Sequence, residues 1–168
     1  MFSVRNFSDK IKSLSQIRAL CNRLRTQRKK IVTTNGVFDI LHLGHVSYLQ
    51  SARKLGDILI VGINSDASVK RLKGPKRPLN NEKARASCIA ALECVDYVIL
   101  FKENDPRKFL DVIKPKIHVK GGDYKGKMDK IIEKNIVEKN GGKIILKQMT
   151  KGYSTTSLIE KIARVYGK

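Results

Sequence analysis

The chain has 168 residues, of which 41% are hydrophobic and 30% are charged, a composition that excludes disordered and membrane-spanning proteins. No apolar run approaches the roughly 20 residues of a bilayer-spanning helix, and the N-terminus lacks the apolar stretch of a signal peptide, so we expect a cytoplasmic protein that uses no membrane. The net charge of +20 predicts an anionic partner without identifying it.

The N-terminal segment predicts a basic amphipathic helix that packs outside the main fold. Its apolar residues recur at helical spacing: Ile11, Leu14, Ile17, Leu20 and Leu24. We therefore divide the chain into an N-terminal helical extension, residues 1–29, and a single domain, residues 30–168.

Strand and helix patterns alternate through the rest of the chain. The predicted strands are residues 31–36, 57–64, 96–101, 116–122 and 143–148. The predicted helices are residues 42–56, 80–95, 105–115, 127–142 and 154–167. This order predicts an α/β fold, a Rossmann-like doubly wound five-stranded parallel sheet in a single domain.

Ligands of such sheets bind beyond the carboxyl ends of the strands, near the point where the strand order reverses. Four predicted loops meet that condition, and all are rich in glycine, basic or hydroxyl residues: residues 33–44, 64–81, 120–127 and 150–157. This agreement between topology and composition predicts a site at that edge.

The first of these loops ends in two histidines. His42 and His45 are three residues apart, which places both imidazoles on one face of the first turn of a helix. Gly44 between them lets an anion approach the helix N-terminus, which favours negative charge. The pair therefore suits phosphoryl transfer. A metal pair and ordinary helix positions are the alternatives; HExxH is absent, and the other histidine, His118, lies inside a predicted strand.

Gly36-x-Phe38-Asp39 followed by His42-x-Gly44-His45 resembles the signature of the HxGH nucleotidyltransferase superfamily, in its cytidylyltransferase-like branch. Residues 64–69, 71–78, 119–124 and 154–156 resemble ADP-heptose synthases, whose matching domain is the D-glycero-D-manno-heptose 1-phosphate adenylyltransferase. The resemblance implies that residues 30–168 are a nucleotidyltransferase domain. It also implies transfer of AMP from ATP to that sugar 1-phosphate, with release of pyrophosphate, in lipopolysaccharide or surface glycan synthesis.

The same resemblance implies roles for individual residues. The catalytic residues would be His42, His45 and Lys73, with Lys73 in a loop after the second strand. The nucleotide-binding residues would be Asn35, Gly36, Phe38, Gly44, Gly122, Asp123, Ser154, Thr155 and Thr156. The substrate-binding residues would be Asp39, Asp66, Arg77 and Arg85. Lys83 stands where this branch usually has an acidic residue two positions before the arginine, so the contacts of Arg85 are left open.

The resemblance further implies Mg²⁺ as cofactor, held mainly by phosphates and water and not by protein ligands. The expected partners are ATP and a sugar 1-phosphate, with a separate sugar kinase upstream and a second copy of the chain in a homodimer. One alternative is a cytidylyltransferase acting on glycerol 3-phosphate or a similar small phosphate. A second alternative is a non-catalytic nucleic-acid-binding module, which the basic residues Arg23, Arg25, Arg28, Lys29 and Lys30 favour.

Overall fold

The predicted alternation of strands and helices produces one parallel sheet. The computed structural model describes residues 6–122, 131–148, 150 and 152–167. Its strands are β1 (Ile31–Gly36), β2 (Ile58–Asn64), β3 (Tyr97–Phe101), β4 (Ile117–Gly121) and β5 (Lys143–Lys147). They lie in the order β3-β2-β1-β4-β5 and every pairing is parallel, so the predicted doubly wound five-stranded fold is confirmed.

Seven α-helices lie within the described residues. They are α1 (Leu14–Thr26), α2 (Leu43–Arg53), α3 (Asp66–Lys73), α4 (Glu82–Ala90), α5 (Arg107–Ile113), α6 (Lys134–Lys139) and α7 (Thr155–Tyr166), and a 3₁₀ helix spans Phe7–Lys10. The assignment of residues 64–81 to a loop was wrong, because α3 occupies eight of them. Ser65 caps this helix, but only Ser68 and Val69 of it are buried, so its apolar signal is too sparse to recognise.

Side chains along each strand point alternately to the two faces of the sheet, so the core has two halves, one on each face. Leu59, Val61 and Ile63 of β2 point to a face covered by α2 and α4, while Ile60 points to the other. That second face is covered by α5, by α6 and by α1, whose Ile17 and Cys21 are fully buried.

The reversal of strand order places the functional edge of the sheet. The chain runs from β1 outward through β2 to β3, and then returns to the other side of β1 with β4 and β5. The switch point therefore lies between β1 and β4, where Gly36 and Gly121 end their strands. No helix in the described ranges combines the length and the apolar character needed to cross a membrane.

Candidate active site

Two stacked histidines follow β1. His42 is the N-cap residue of α2 but its side chain makes no cap hydrogen bond, so the ring is available for another contact. The His42 and His45 rings stack with centroids 3.7 Å apart and planes 19° apart, as their spacing predicts. The Phe38 ring meets His45 edge-on at 5.2 Å. The turn thus fixes both imidazoles beside each other.

Glycines make this turn possible. Phe38 has a left-handed backbone, with φ of 48°, and its ring lies over Gly36, where an added Cβ would come within 2.9 Å of it. An added Cβ at Gly44 would lie 3.1 Å from the His42 ring and 3.1 Å from the Cβ of Tyr153. A side chain at either position would displace an aromatic ring of the site.

Burial favours the neutral form of both imidazoles. Desolvation lowers the pKa of His42, and it lowers the pKa of His45 to about 4. The neighbouring His42 adds to the shift of His45, and the Ile40 backbone opposes it. Two protons on rings this close would repel, so the pair is suited to donate neutral N–H groups toward an anion. The Nδ1 atom of His42 and the Oδ1 atom of Asn35 are buried without a hydrogen-bond partner among the described residues.

The start of α7 faces His42 across a cavity of about 530 Å³. His42 forms one wall, and residues of α7 with its preceding turn form the other: Gly152, Tyr153, Ser154, Ser157, Leu158, Glu160, Lys161 and Arg164. Ser154 caps α7 by accepting a hydrogen bond from the Ser157 N–H at 3.0 Å. Hydroxyl groups and free N–H groups at a helix start form a site for phosphate.

Asp39 is held in a hydrogen-bonded network beside the first loop. Its buried carboxylate pairs with Arg77 at 2.6 Å and accepts hydrogen bonds from the N–H groups of Leu79 and Asn80 at 2.8–2.9 Å. Burial would raise the pKa of this carboxyl, but these hydrogen bonds outweigh it and hold the pKa below its usual range. The network ties the turn after β1 to the loop after α3.

Arg85 is 1% exposed and every nitrogen of its guanidinium donates to the protein. The acceptors, at 2.6–2.9 Å, are the carbonyl oxygens of Val37, Asn64 and Asn80 and the Oδ1 atom of Asp66. Glu82 accepts a hydrogen bond from the Asp66 N–H at 2.7 Å. Lys83 stands where the resemblance implies an acidic residue, and the contacts of Arg85 were therefore left open. In the structure Asp66 is the carboxylate that pairs with Arg85.

The cytidylyltransferase-like family matches residues 33–161, which include both histidines and the start of α7. The chain belongs to this family. Among curated members, the bifunctional protein HldE of Geobacter metallireducens is 48% identical over 159 residues, and that of Citrifermentans bemidjiense is 51% identical over 157 residues. These alignments cover 95% and 94% of this chain but 32% of each relative, so the chain spans about a third of their length.

Two solved structures also resemble this family member. The lipopolysaccharide core biosynthesis protein from Thermoplasma volcanium is 37% identical, with a TM-score of 0.60 over 75% of this chain and 99% of that one. Pantoate-beta-alanine ligase from Francisella tularensis, solved with a form of ATP and beta-alanine, is 18% identical, with a TM-score of 0.60 over 94% and 78% of the two chains. The second likeness concerns the fold alone.

The structure places the remaining predicted residues of this cytidylyltransferase-like chain as follows. Lys73 is the exposed last residue of α3, not a loop residue, and makes no ion pair within the described part of the chain. Gly122 follows β4 with a φ of 129°, and Asp123 lies outside the described residues. Thr155 and Thr156 open α7 without lining the cavity wall. Nowhere in the described ranges do three or more His, Cys, Asp or Glu side chains group as metal ligands.

Most of the cavity wall was not predicted from the sequence, including three residues with aromatic or cationic side chains. Tyr153, Lys161 and Arg164 line it beside His42. The signal was present in the spacing, since Ser157, Lys161 and Arg164 recur at intervals of four and three residues and share one face of α7.

Proposed function

We propose that this chain is a D-glycero-D-manno-heptose 1-phosphate adenylyltransferase, which joins AMP from ATP to the sugar phosphate and releases pyrophosphate. The observation that carries the proposal is that His42, with the His45 ring stacked on it, faces the capped start of α7 across one cavity. Membership of the cytidylyltransferase-like family, the likeness to HldE and the name of the Thermoplasma protein support it, the last by pointing to lipopolysaccharide synthesis.

The reaction is one in-line displacement at phosphorus. An oxygen of the sugar phosphate forms a bond to the α-phosphorus of ATP, while the bond from that phosphorus to the α,β-bridging oxygen breaks. The electron pair of the broken bond leaves on pyrophosphate. The attacking oxygen is already an anion, so the protein needs no strong base, and catalysis consists of positioning and charge stabilisation.

The histidines act as hydrogen-bond donors to the phosphates in this proposal. We assign the donor role to Nε2, because Nδ1 of each ring is buried. A bound triphosphate would favour the protonated imidazole and so raise the pKa values that burial lowers in the free protein. This interaction strengthens as charge develops on the α- and β-phosphate oxygens.

The start of α7 holds the triphosphate tail. Ser154, Thr155 and Thr156 offer N–H and hydroxyl groups to the β- and γ-phosphates, and Lys161 and Arg164 add positive charge on the cavity wall. Lys73, the exposed last residue of α3, is assigned to the same tail.

Main-chain groups bind the nucleoside, and the two carboxylate–arginine pairs organise the acceptor. Asn35, Gly36, Phe38, Gly44, Gly122 and Asp123 are assigned to the nucleotide. Arg77 is partly exposed and can contact the sugar phosphate while Asp39 orients it. Every nitrogen of the Arg85 guanidinium donates a hydrogen bond within the protein, so we assign this residue a positioning role that acts through Asp66.

Mg²⁺ is the proposed cofactor. The residues of the site fit an ion that is bound by the nucleotide and not by protein side chains. The Asp39 carboxylate is committed to Arg77 and two backbone N–H groups, so the phosphates and water would hold the ion, as Mg²⁺ prefers. When bound, the ion neutralises phosphate charge.

Exposed apolar residues support a homodimer as part of the proposal. Ile162, Val165 and Tyr166 of α7 are 48%, 57% and 80% exposed, and a second copy could cover them. The proposed acceptor is a sugar phosphate, so we propose that a sugar kinase supplies it. Light scattering of the chain and of I162D would test the dimer, which the aspartate should weaken.

Pyrophosphate release with Mg²⁺ tests the activity, using D-glycero-β-D-manno-heptose 1-phosphate with ATP, CTP, GTP or UTP in separate assays. We expect release with ATP, reduced about 100-fold or more in H42A. The matched control is L43A, which truncates an exposed side chain on the same helical turn and should keep its activity.

Other outcomes of this assay separate the alternatives. Release with CTP and glycerol 3-phosphate only would assign the chain to the cytidylyltransferase activity that the family description favours. No release with any nucleotide or small phosphate would refute the proposed function.

A further inference from the structure

A second cavity lies at the amino-terminal end of the sheet. It encloses about 680 Å³, and its lining includes Ile31 and Ile117, the first residues of β1 and β4. The same two strands end at the candidate active site, so the two sites are a strand length apart, roughly 15–20 Å. The second cavity is therefore not part of the first.

Every charged residue that lines this cavity is positive. Four belong to the end of α1 and the connection to β1: Arg25, Arg28, Lys29 and Lys30. Lys114 and Lys116 come from the connection between α5 and β4, and Lys143 begins β5. Three separate segments of the chain thus bring seven cationic side chains to one concave surface.

The described residues provide no ion-pair partner for any of the seven. Arg25 donates to the Ile113 carbonyl at 2.7 Å, and the Asp57 carboxylate accepts from the backbone N–H of Lys30 at 2.6 Å. Seven like charges around one cavity repel one another and destabilise the folded chain, and the Asp57 carboxylate offsets only part of that charge. A bound anion would relieve that repulsion.

Two of the cationic residues at this cavity have a left-handed backbone. Arg28 has a φ of 56° and Lys114 a φ of 50°, a left-handed conformation that side-chain-bearing residues adopt at a cost. Both residues line the cavity, and each sits in a different connection. Arg28 follows the C-cap of α1 and Lys114 is the C-cap of α5, so the left-handed backbone at each position ends a helix and directs the next segment along the cavity.

We propose that this cavity binds a compact polyphosphate, three or more linked phosphates that are either free or carried on a nucleotide. The concave shape and seven cationic lining residues suit a small ligand of high charge density. Among the described residues no aromatic ring lines the cavity, so this part of the wall lacks the stacking that single-stranded nucleic acids use.

Calorimetric titration of the full chain with inorganic tripolyphosphate, in 150 mM KCl without Mg²⁺, tests the proposal. Salt at this level screens the diffuse attraction of the +20 net charge. The test variant is K114Q/K116Q. The control is K70Q/K102Q, which removes the same charge from exposed lysines outside the cavity. We expect affinity to fall at least about tenfold in the test variant and less than about twofold in the control.

Hydrogen exchange locates the ligand independently of affinity, since tripolyphosphate can also enter the active site. Slower exchange at residues 28–31 and 114–117 is expected in the wild type and in H42A.

K143Q, a single change at an exposed position, repeats the titration should K114Q/K116Q fail to fold. AMP should not bind at these segments, whereas ATP and tripolyphosphate should.

Three results would overturn the proposal. Equal weakening in K114Q/K116Q and K70Q/K102Q would show attraction by net charge alone. Protection confined to α7 and the histidine loop would place the ligand in the active site. Tighter binding of a 20-nucleotide oligouridylate, lost in K114Q/K116Q, would assign the cavity to nucleic acid. None of these measurements requires the proposed transferase activity.

Discussion

His118 should make the stability of the fold depend on pH. Its side chain on β4 is fully buried; Nδ1 lies 2.9 Å from the Thr33 hydroxyl, and Nε2 has no hydrogen-bond partner among the described residues. Burial, with a smaller effect of the Lys120 charge, lowers the pKa of His118 from 6.5 to about 3. Between these values the unfolded chain binds a proton that the folded chain does not. Stability is therefore complete above pH 6.5 and declines as the pH falls toward 3.

The magnitude follows from the two pKa values. At pH 5 protonation of this imidazole stabilises the unfolded chain by about 2 kcal/mol relative to pH 8. H118N cannot titrate in this range, so the loss of unfolding free energy between pH 8 and pH 5 should be about 2 kcal/mol smaller than in the wild type. Carboxylates and the other two histidines titrate in both proteins and cancel in this difference.

Urea unfolding followed by circular dichroism at pH 8 and pH 5 measures the effect. H42N is the control, because its partly exposed ring has a smaller barrier to protonation. An H118N variant whose stability falls with pH as steeply as the wild type's would refute the reasoning, whatever its absolute stability at pH 8.

Three further changes test the candidate active site. G44A should lower kcat/KM for pyrophosphate release at least about tenfold with little change in melting temperature, since its Cβ would press on the His42 ring and Tyr153; unchanged kinetics would contradict this. R85M should lower the unfolding free energy in urea by about 3 kcal/mol or more, because it leaves buried carbonyl groups and Asp66 unpaired, and a loss below 1 kcal/mol would argue against the network. S154A should speed hydrogen exchange in α7 by removing a cap of about 1 kcal/mol without lowering global stability, because α7 buries no residue; a global loss would show that α7 is part of the core.

Periodicity was sufficient for the sheet and for most helices. Strands such as β2 are apolar on both faces because helices cover both, and that continuous run is visible in the sequence. α3 was missed for the opposite reason, since a helix that buries only Ser68 and Val69 leaves almost no apolar pattern. Nor does periodicity show that α1 covers the sheet beside α5, because its partner lies more than 80 residues away in the chain.

The histidine motif located the candidate site, but it did not reveal how the surrounding charges pair. His42, Gly44 and Ser154 are each in a recognisable local pattern, and the structure brings them together. The partners of Arg85 are mainly backbone carbonyls, which every residue possesses, so no side-chain pattern could indicate them. A pairing between residues 66 and 85 becomes visible only when the loops after β1 and β2 are placed side by side.

α7 supplies half of the proposed triphosphate site and yet contributes no buried side chain to the core. An element with so few buried contacts separates from the rest of the fold at a low free energy. In the proposed function ATP would then form part of the packing that holds this helix, and some of its interaction energy would be consumed in fixing the helix. The observed dissociation constant for ATP should accordingly be weaker than its contacts alone imply. Proteases that cut near residue 152 should act slowly on the nucleotide-bound protein and quickly on the free one.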